Sequence, residues 1–209
     1  MNNIFKLCII IAVSLFSLFG YFYYKNTINH SEEYIYIDTA TTEVVEYIEK
    51  INKMEEQVFK FVDDDMELAY LENTQDIELK YIDKKGVLEF FLAAISLNDI
   101  DLFIQSFELY TISKDIHSSA EKNKDIIIKD LISRLSREGK LIKVGFNEEK
   151  GRFGATSETV NATFFYSDGF EATVPITFSK TEDHHNGEEV YSISTSVFDM
   201  LNIIEKDKK

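Results

Sequence analysis

The chain has 209 residues, of which 44% are hydrophobic and 28% charged, so it can bury the core of one domain and is too apolar for wholesale disorder. Its net charge is −15, and every acidic residue lies at or beyond Glu32. An acidic chain without a basic stripe repels phosphate backbones, which argues against direct binding of nucleic acid. The single cysteine, Cys8, excludes an intramolecular disulfide, so the fold depends on its core alone.

The first apolar segment, residues 4–24, predicts a membrane anchor. Its part from Leu7 onward carries no charge, and about 20 helical residues span the hydrocarbon core of a bilayer. The segment ends in a cluster of tyrosines followed by Lys25, which is typical of a membrane interface. A cleaved signal peptide is the alternative, but bulky residues stand where small ones would be needed. We therefore predict an uncleaved transmembrane signal anchor at residues 1–25, in contact with the lipid bilayer through residues 4–24.

The orientation of this anchor is predicted from its short N-terminal tail. One lysine flanks each side of the apolar run, Lys6 and Lys25, so the positive-inside rule barely discriminates. A short positive tail before the first apolar run is the usual pattern of an anchor with its N-terminus inside the cell. We predict a single-pass protein of a bacterial cell membrane, with a cytoplasmic N-terminus and an extracytoplasmic C-terminal domain.

Residues 26–83 are predicted to hold a juxtamembrane connector and then an amphipathic helix from Thr42 to Val62. Large apolar residues recur in this helix at alternating spacings of three and four, as in a coiled-coil seam. The members of the seam are Val44, Tyr47, Ile51, Met54, Val58 and Phe61. The seam can pack on a second copy or on the chain's own domain. Because it is short and stops at Asp65, we expect packing within the chain and at most a weak homo-oligomer.

Three further helices are predicted from the spacing of their apolar residues. They are Gly86–Leu97, Asp99–Leu109 and Lys122–Arg137. Asn98 and Asp99 separate the first two, and Asp99 is expected to cap the second. Gly139 follows the third helix, where a glycine is expected to end it.

From Leu141 the apolar period changes to two, which predicts four antiparallel strands with one apolar face. The residues expected on that face are Ile142, Val144, Phe146, Val160, Ala162, Phe164, Tyr166, Phe170, Ala172, Val174, Ile176, Phe178, Tyr191, Ile193 and Val197. Asp168-Gly169 and Asn186-Gly187 are typical hairpin dipeptides. Pro175 cannot donate a ladder hydrogen bond, so we expect a bulge or bend there.

Helices followed by a one-faced antiparallel sheet predict an α+β fold: a transmembrane helix, then helices packed on a four-stranded meander. The segment FFLAAISLNDIDLF at residues 90–103 resembles the first helix, tight acidic turn and second helix of the nuclear transport factor 2-like (cystatin-like) superfamily. The resemblance implies a cone-like domain at residues 84–200, with a bent sheet wrapped around helices. Residues 201–209 are predicted to be a charged tail.

The histidines are the first candidates for chemistry, because enzymes of this superfamily place acids and histidines inside the cone. Here the inward strand positions are nearly all apolar, and the histidines are predicted to lie in connectors: His30, His117, His184 and His185. The adjacent pair lies among carboxylates, which is compatible with zinc or nickel. Adjacent histidines at a hairpin tip form a poorly preorganised site, so a polar turn is favoured.

No motif of an enzyme class occurs: G-x-S-x-G, H-E-x-x-H, the P-loop and the Rossmann glycine pattern are all missing. We therefore assign no catalytic, cofactor-binding or metal residues, expect no cofactor, and predict a protein that is not an enzyme. An anchor followed by such a domain is similar to the layout of assembly components in bacterial conjugation and secretion machines. The prediction is an extracytoplasmic binding or assembly module with protein partners. The alternative is a small-ligand-binding or degenerate hydrolase domain that uses a pocket in the cone.

Overall fold

The chain folds as predicted into an α+β structure with helices on one face of an antiparallel sheet. The computed structural model describes residues 33–61, 83–147, 158–182 and 189–206, together with Ser17, Gly20 and Tyr21, and the side chains of the first long helix as far as Lys53. The helices in these ranges are α1 Ile37–Phe61, α2 Lys84–Leu97, α3 Ile100–Gln105, α4 Leu109–Ser118, α5 Lys124–Leu135 and α6 Val197–Lys206. The strands are β1 Glu33–Tyr36, β2 Leu141–Asn147, β3 Thr159–Tyr166, β4 Glu171–Glu182 and β5 Glu189–Ile193.

The sheet has five strands in the order β1-β2-β3-β4-β5, so the prediction of four is wrong. Strands β2 to β5 form the expected antiparallel meander. The additional strand, β1, is four residues long and lies in the predicted connector, where it is too short for a clear period-two pattern. β4 pairs with β3 as far as Thr177 and with β5 from Phe178 onward, so the sheet curls.

The amphipathic helix α1 begins at Ile37, earlier than Thr42, and packs on the core of its own domain. Val44 is fully buried, and the ring of Tyr47 meets that of Phe90 edge-on at a centroid distance of 5.7 Å. The predicted packing within the chain is therefore confirmed for this part of the seam. Three other members lie outside the described side chains: Met54, Val58 and Phe61.

Side-chain caps set the break between α2 and α3. Asp83 begins α2 by accepting a hydrogen bond from the backbone of its first turn at 2.6 Å, and Asn98 ends the helix in the left-handed conformation. Asp99 then caps α3, because its Oδ1 accepts hydrogen bonds from the backbone nitrogens of Asp101 and Leu102 at 2.9 and 3.0 Å. The predicted role of Asp99 is confirmed.

The single helix predicted over Asp99–Leu109 is wrong, since two helices, α3 and α4, occupy this region. Between them, residues 106–108 leave the helical path and pair with the end of β5. The nitrogen of Ile193 donates to the carbonyl of Ser106 at 3.0 Å, and the nitrogen of Glu108 donates to the carbonyl of Ile193 at 2.9 Å. Local periodicity does not reveal a pairing over such a distance along the chain.

Two details of the strands differ from the prediction. A bulge lies between Leu141 and Lys143, and no bulge occurs at Pro175, where the register is regular. Leu141 therefore takes the core position expected for Ile142, which is exposed. Pro175 needs no bulge, because its nitrogen faces the edge of β4 that β5 reaches only from Phe178 onward.

The end of α5 also differs from the prediction. The helix stops at Leu135, and Gly139 is the last of three consecutive residues with positive φ, which rises from 50° to 81°. The first of them, Arg137, places its guanidinium 4.0 Å from the ring centre of Phe170 and 3.3 Å from a carboxylate oxygen of Asp168. These contacts with the β3–β4 turn stabilise a left-handed path that would otherwise cost energy.

The C-terminal segment forms α6, so the strand alternation predicted as far as Val197 is wrong. Leu201 and Ile204 are buried, although a charged tail is expected there from the sequence. The helix begins against Asp115 of α4, a buried residue. Its Oδ2 accepts a hydrogen bond from the nitrogen of Val197 and its Oδ1 from the hydroxyl of Ser196, both at 2.7 Å.

Residues 34–209 group into one compact unit and residues 1–33 into another. Among the described helices, none combines the length and the apolar character needed to cross a bilayer. The predicted span at residues 4–24 lies outside the described residues except for Ser17, Gly20 and Tyr21, so the anchor stays a prediction.

Candidate interaction surfaces

The space between the sheet and the helices is filled by apolar side chains. Phe91, Phe103 and Phe107 form a cluster of rings with centroids 5.1–5.8 Å apart. The inward residues of β3 and β4 are buried in the same core: Val160, Ala162, Phe164, Tyr166, Ala172, Val174, Ile176 and Phe178. The hydroxyl of Tyr166 donates to the carbonyl of Leu135 at 2.9 Å, and burial raises the pKa of this phenol. The hydroxyl of this inward-facing tyrosine therefore forms a hydrogen bond within the fold.

An open groove of about 590 Å³ lies on the surface between the start of α4 and strands β4 and β5, and we call it the α4 groove. Its lining consists of Phe107, Glu108, Leu109, Tyr110, Ser113, Thr181 and Ser192. The groove is broadly open to solvent. Small-molecule sites usually enclose most of their ligand, so this shape suits a segment of another protein better.

Two large apolar side chains at the α4 groove are exposed to solvent. Leu109 is 78% exposed and Tyr110 is 76% exposed, and they are the first two residues of α4. The inward face of the same helix begins directly after them, with Thr111, Ile112 and Asp115 buried. Leu109 is three residues before the buried Ile112 and so shares its helix face, but as the first residue of α4 it extends past the end of the core contact, while the buried residues hold the helix itself in place.

Hydrogen bonds order the polar rim of the α4 groove. The hydroxyl of Thr111 donates to the carboxylate of Glu108 at 3.0 Å, while the backbone of Glu108 is tied to Ile193 of β5. On the neighbouring strands the hydroxyls of Ser179 and Ser192 are 2.8 Å apart. The rim that carries the exposed apolar residues is thus already ordered before any partner binds.

The outward face of the sheet carries a second exposed cluster at its β1 edge. Tyr34 and Tyr36 are 40% and 50% exposed, whereas Ile35 between them is buried. The Nζ of Lys143 lies 3.9 Å from the ring centre of Tyr34, 4.8 Å from that of Phe165 and 5.5 Å from that of Tyr36. These distances are within the range of cation–π attraction. We call Tyr34, Tyr36, Lys143 and Phe165 the tyrosine–lysine patch.

The outward face becomes more polar away from β1. Hydroxyl pairs bridge neighbouring strands at 2.8–3.0 Å. The pairs are Thr163 with Thr173, Thr159 with Thr177, and Ser179 with Ser192. Among the described outward residues, the rings of the patch therefore lie toward the β1 edge, while the α4 groove lies at the opposite, β5 edge.

The structure describes one of the four histidines considered as metal ligands. The prediction that His117 lies in a connector is wrong: it is exposed in the last turn of α4, with its Nδ1 2.7 Å from the carbonyl oxygen of Ser113. The others lie outside the described residues: His30, His184 and His185. In the ranges that are described, no three His, Cys, Asp or Glu residues are grouped so as to hold a metal ion. Metal binding by the histidine pair thus stays untested.

Comparison with known proteins finds no match for this chain among protein-family models, curated proteins or solved structures. The resemblance to the nuclear transport factor 2-like superfamily therefore rests on residues 90–103 and on the order of elements. The α+β class is observed, whereas membership of that superfamily stays a prediction.

Neither the α4 groove nor the tyrosine–lysine patch is predicted from the sequence. Tyr34 and Tyr36 fall in the predicted connector, although their alternation with Ile35 is a weak strand signal. Leu109 falls at the end of a predicted helix, and no local signal separates its exposed side chain from the buried Ile112. Leu109 is the first residue of α4, which begins directly after residues 106–108 pair with β5.

Proposed function

We propose that this protein is a membrane-anchored, extracytoplasmic binding or assembly module without catalysis, and that it works as part of a conjugation, secretion or cell-envelope complex of a bacterium. The observation that carries the proposal is the exposure of Leu109 and Tyr110 beside the open α4 groove. The anchor at residues 4–24, with the domain outside the cytoplasm, belongs to the same proposal.

The energetics of the two exposed side chains favour a protein partner. Burying a large apolar side chain stabilises a complex by about 1.5–3 kcal/mol, and tyrosine is enriched among the residues that dominate binding energy. The buried face of α4 holds the helix backbone that carries Leu109 and Tyr110, so a partner that covers them does not have to order the helix itself. A contact of this kind uses structure that already exists in the free protein.

The alternative, a ligand pocket or degenerate hydrolase site inside the cone, has less support. The rings of Phe91, Phe103 and Phe107 are buried against the inward face of the sheet. A binding pocket usually combines a few hundred Å³ with converging polar groups. The α4 groove has a volume in this range but lies at the surface, and its two most exposed lining residues, Leu109 and Tyr110, are largely apolar.

Site-directed crosslinking in native membranes tests the proposal. A photoreactive phenylalanine analogue replaces Tyr110 in the full-length protein, and the matched control carries it at Ile126, which is 55% exposed on α5. We expect position 110 to crosslink to a discrete envelope protein and position 126 to give a weaker product or none.

The crosslinked protein is then purified and its affinity measured for two variants, Leu109→Ser and Ile126→Ser. Loss of an anchoring residue at an interface costs at least about 1–2 kcal/mol, so we expect roughly tenfold or weaker binding for Leu109→Ser and unchanged binding for the control. Equal crosslinking at both positions, or equal affinity of both variants, would contradict the proposal.

A further inference from the structure

The chemistry of the tyrosine–lysine patch is that of a membrane interface. Its three rings expose apolar edges, two of them end in hydroxyls, and the ammonium of Lys143 lies among them. Tyrosine is enriched at the headgroup level of bilayers, and lysine buries its apolar stem while its charge reaches the phosphates. The buried Ile35 fixes β1 so that Tyr34 and Tyr36 face outward together.

The size of the patch argues against a second copy of the chain as its occupant. An aromatic side chain offers about 150–250 Å² when fully exposed, so three half-covered rings present roughly 300 Å². A stable protein–protein interface buries about 800 Å² on each partner. Among the described residues, the hydroxyl pairs farther along the same face add no apolar area.

The chain enters the domain at this edge of the sheet. Residues 25–32, eight in number, separate the end of the predicted bilayer-contacting run, at Tyr24, from β1. At about 3.5 Å per extended residue, Tyr34 can lie no farther than roughly 35 Å along the chain from Tyr24. A tether of this length raises the effective concentration of a contact into the millimolar range, so even a weak contact with the bilayer is populated.

We infer that the tyrosine–lysine patch rests on the lipid headgroups of the membrane that anchors the chain. The inference rests on the proposed anchor and adds a second lipid contact of the chain, made by the four residues of the patch. The α4 groove lies at the β5 edge and takes no part in this contact.

Fluorescence quenching tests the inference, because the chain contains no tryptophan and one can be introduced as a single emitter. The full-length Tyr34→Trp variant is reconstituted into phosphatidylcholine vesicles with and without brominated acyl chains, which quench tryptophan close to the bilayer. Phosphatidylcholine has no net charge, so the acidic domain is not repelled from it. The matched control is Tyr110→Trp, which places the emitter in the α4 groove.

We expect brominated lipid to quench the Tyr34→Trp variant at least twofold more strongly than the Tyr110→Trp control. Adding Lys143→Glu to the Tyr34→Trp variant is expected to reduce the quenching toward the control, because a carboxylate replaces the cation near the lipid phosphates. Circular dichroism of each variant establishes that the domain is folded.

Equal quenching at the two positions would overturn the inference while leaving the anchor intact, provided the protein floats with the vesicles. If the tryptophan fluorescence of the Tyr34→Trp variant is not quenched by brominated lipid but its emission wavelength shifts with the protein-to-lipid ratio, the patch binds a second copy of the chain instead. If the full-length protein does not float with vesicles at all, the anchor in the proposed function is wrong, and the inferred lipid contact of the patch is wrong as well.

Discussion

Two clusters of aromatic rings in this protein are built alike and placed in opposite environments. Phe91, Phe103 and Phe107 contact one another in the core, at centroid distances of 5.1–5.8 Å. In the tyrosine–lysine patch, Tyr34 and Phe165 lie at the similar distance of 5.9 Å, but both tyrosines of the patch are exposed. Contact between rings therefore does not distinguish a residue that supports the fold from one that presents a surface.

The difference lies in the polar groups that accompany the rings. The core cluster uses phenylalanine alone, because a buried hydroxyl would need a partner. The patch uses two partly exposed tyrosines and a lysine, whose ammonium lies over the tyrosine rings. Removing a ring should therefore cost stability in the first cluster and binding in the second.

The largest expected effect is that of Phe103→Ala. Its side chain is fully buried between two other rings, so the substitution removes apolar burial and leaves a cavity, and it should lower the free energy of unfolding by about 3–5 kcal/mol. Urea unfolding of the full-length protein in mild detergent, followed by circular dichroism, measures this value. The matched variant Tyr36→Ala should change it by no more than about 0.5 kcal/mol. Equal losses for the two variants would show that the patch belongs to the core.

A smaller effect is expected at Asp115, a polar residue of the interior. Asp115→Ala leaves the hydroxyl of Ser196 and the nitrogen of Val197 without their acceptor at the start of α6, which should cost about 1–3 kcal/mol. The same urea titration compares it with Asn123→Ala, which removes the exposed cap of α5 and should cost about 1 kcal/mol or less. A cost for Asn123→Ala as large as that for Asp115→Ala would mean that burial adds nothing to this cap.

The smallest effect is expected at the surface, and it depends on pH. The backbone nitrogen of Phe170 donates to Asp168, and with Arg137 and Lys140 nearby the pKa of this carboxyl is lowered. A lowered folded-state pKa adds stability above the unfolded value of about 3.9, and this stability is lost as the pH falls through the folded-state pKa. Thermal unfolding should therefore show Asp168→Asn less stable than the parent at pH 7, with the gap closing below about pH 4.

The control for the pH experiment is Ser167→Ala, in the same turn and without a charge change. Its melting temperature should differ from that of the parent by the same small amount at both pH values. If the gap for Asp168→Asn is equally wide at pH 7 and at pH 3, the stabilisation does not come from the ionised carboxylate.

Much of the fold is predictable because its signals are local. Asp99 lies where a helix cap is required, and the structure uses it as one. Period-two alternation correctly predicts the inward face of β3 and β4. The Asp168-Gly169 dipeptide correctly predicts the hairpin between them, where Gly169 has a φ of +80°. The short strand β1 gives a weaker local signal and depends on pairing with a distant part of the chain. The helix α6, in contrast, has apolar residues at helical spacing, and the strand prediction overlooked them: Val197, Met200, Leu201 and Ile204.

The α+β class, the order of helices before the β2–β5 meander and most apolar residues of the core are predictable from sequence, because apolar periodicity identifies the side of an element that faces away from water. Which apolar residues stay exposed depends on the fold of the whole domain. Leu109 is exposed although Ile112, three residues later in α4, is buried, and α4 begins directly after residues 106–108 pair with Ile193. Ile142 is exposed because a bulge gives its place to Leu141. Exposure of this kind depends on contacts between distant segments, which local periodicity does not encode.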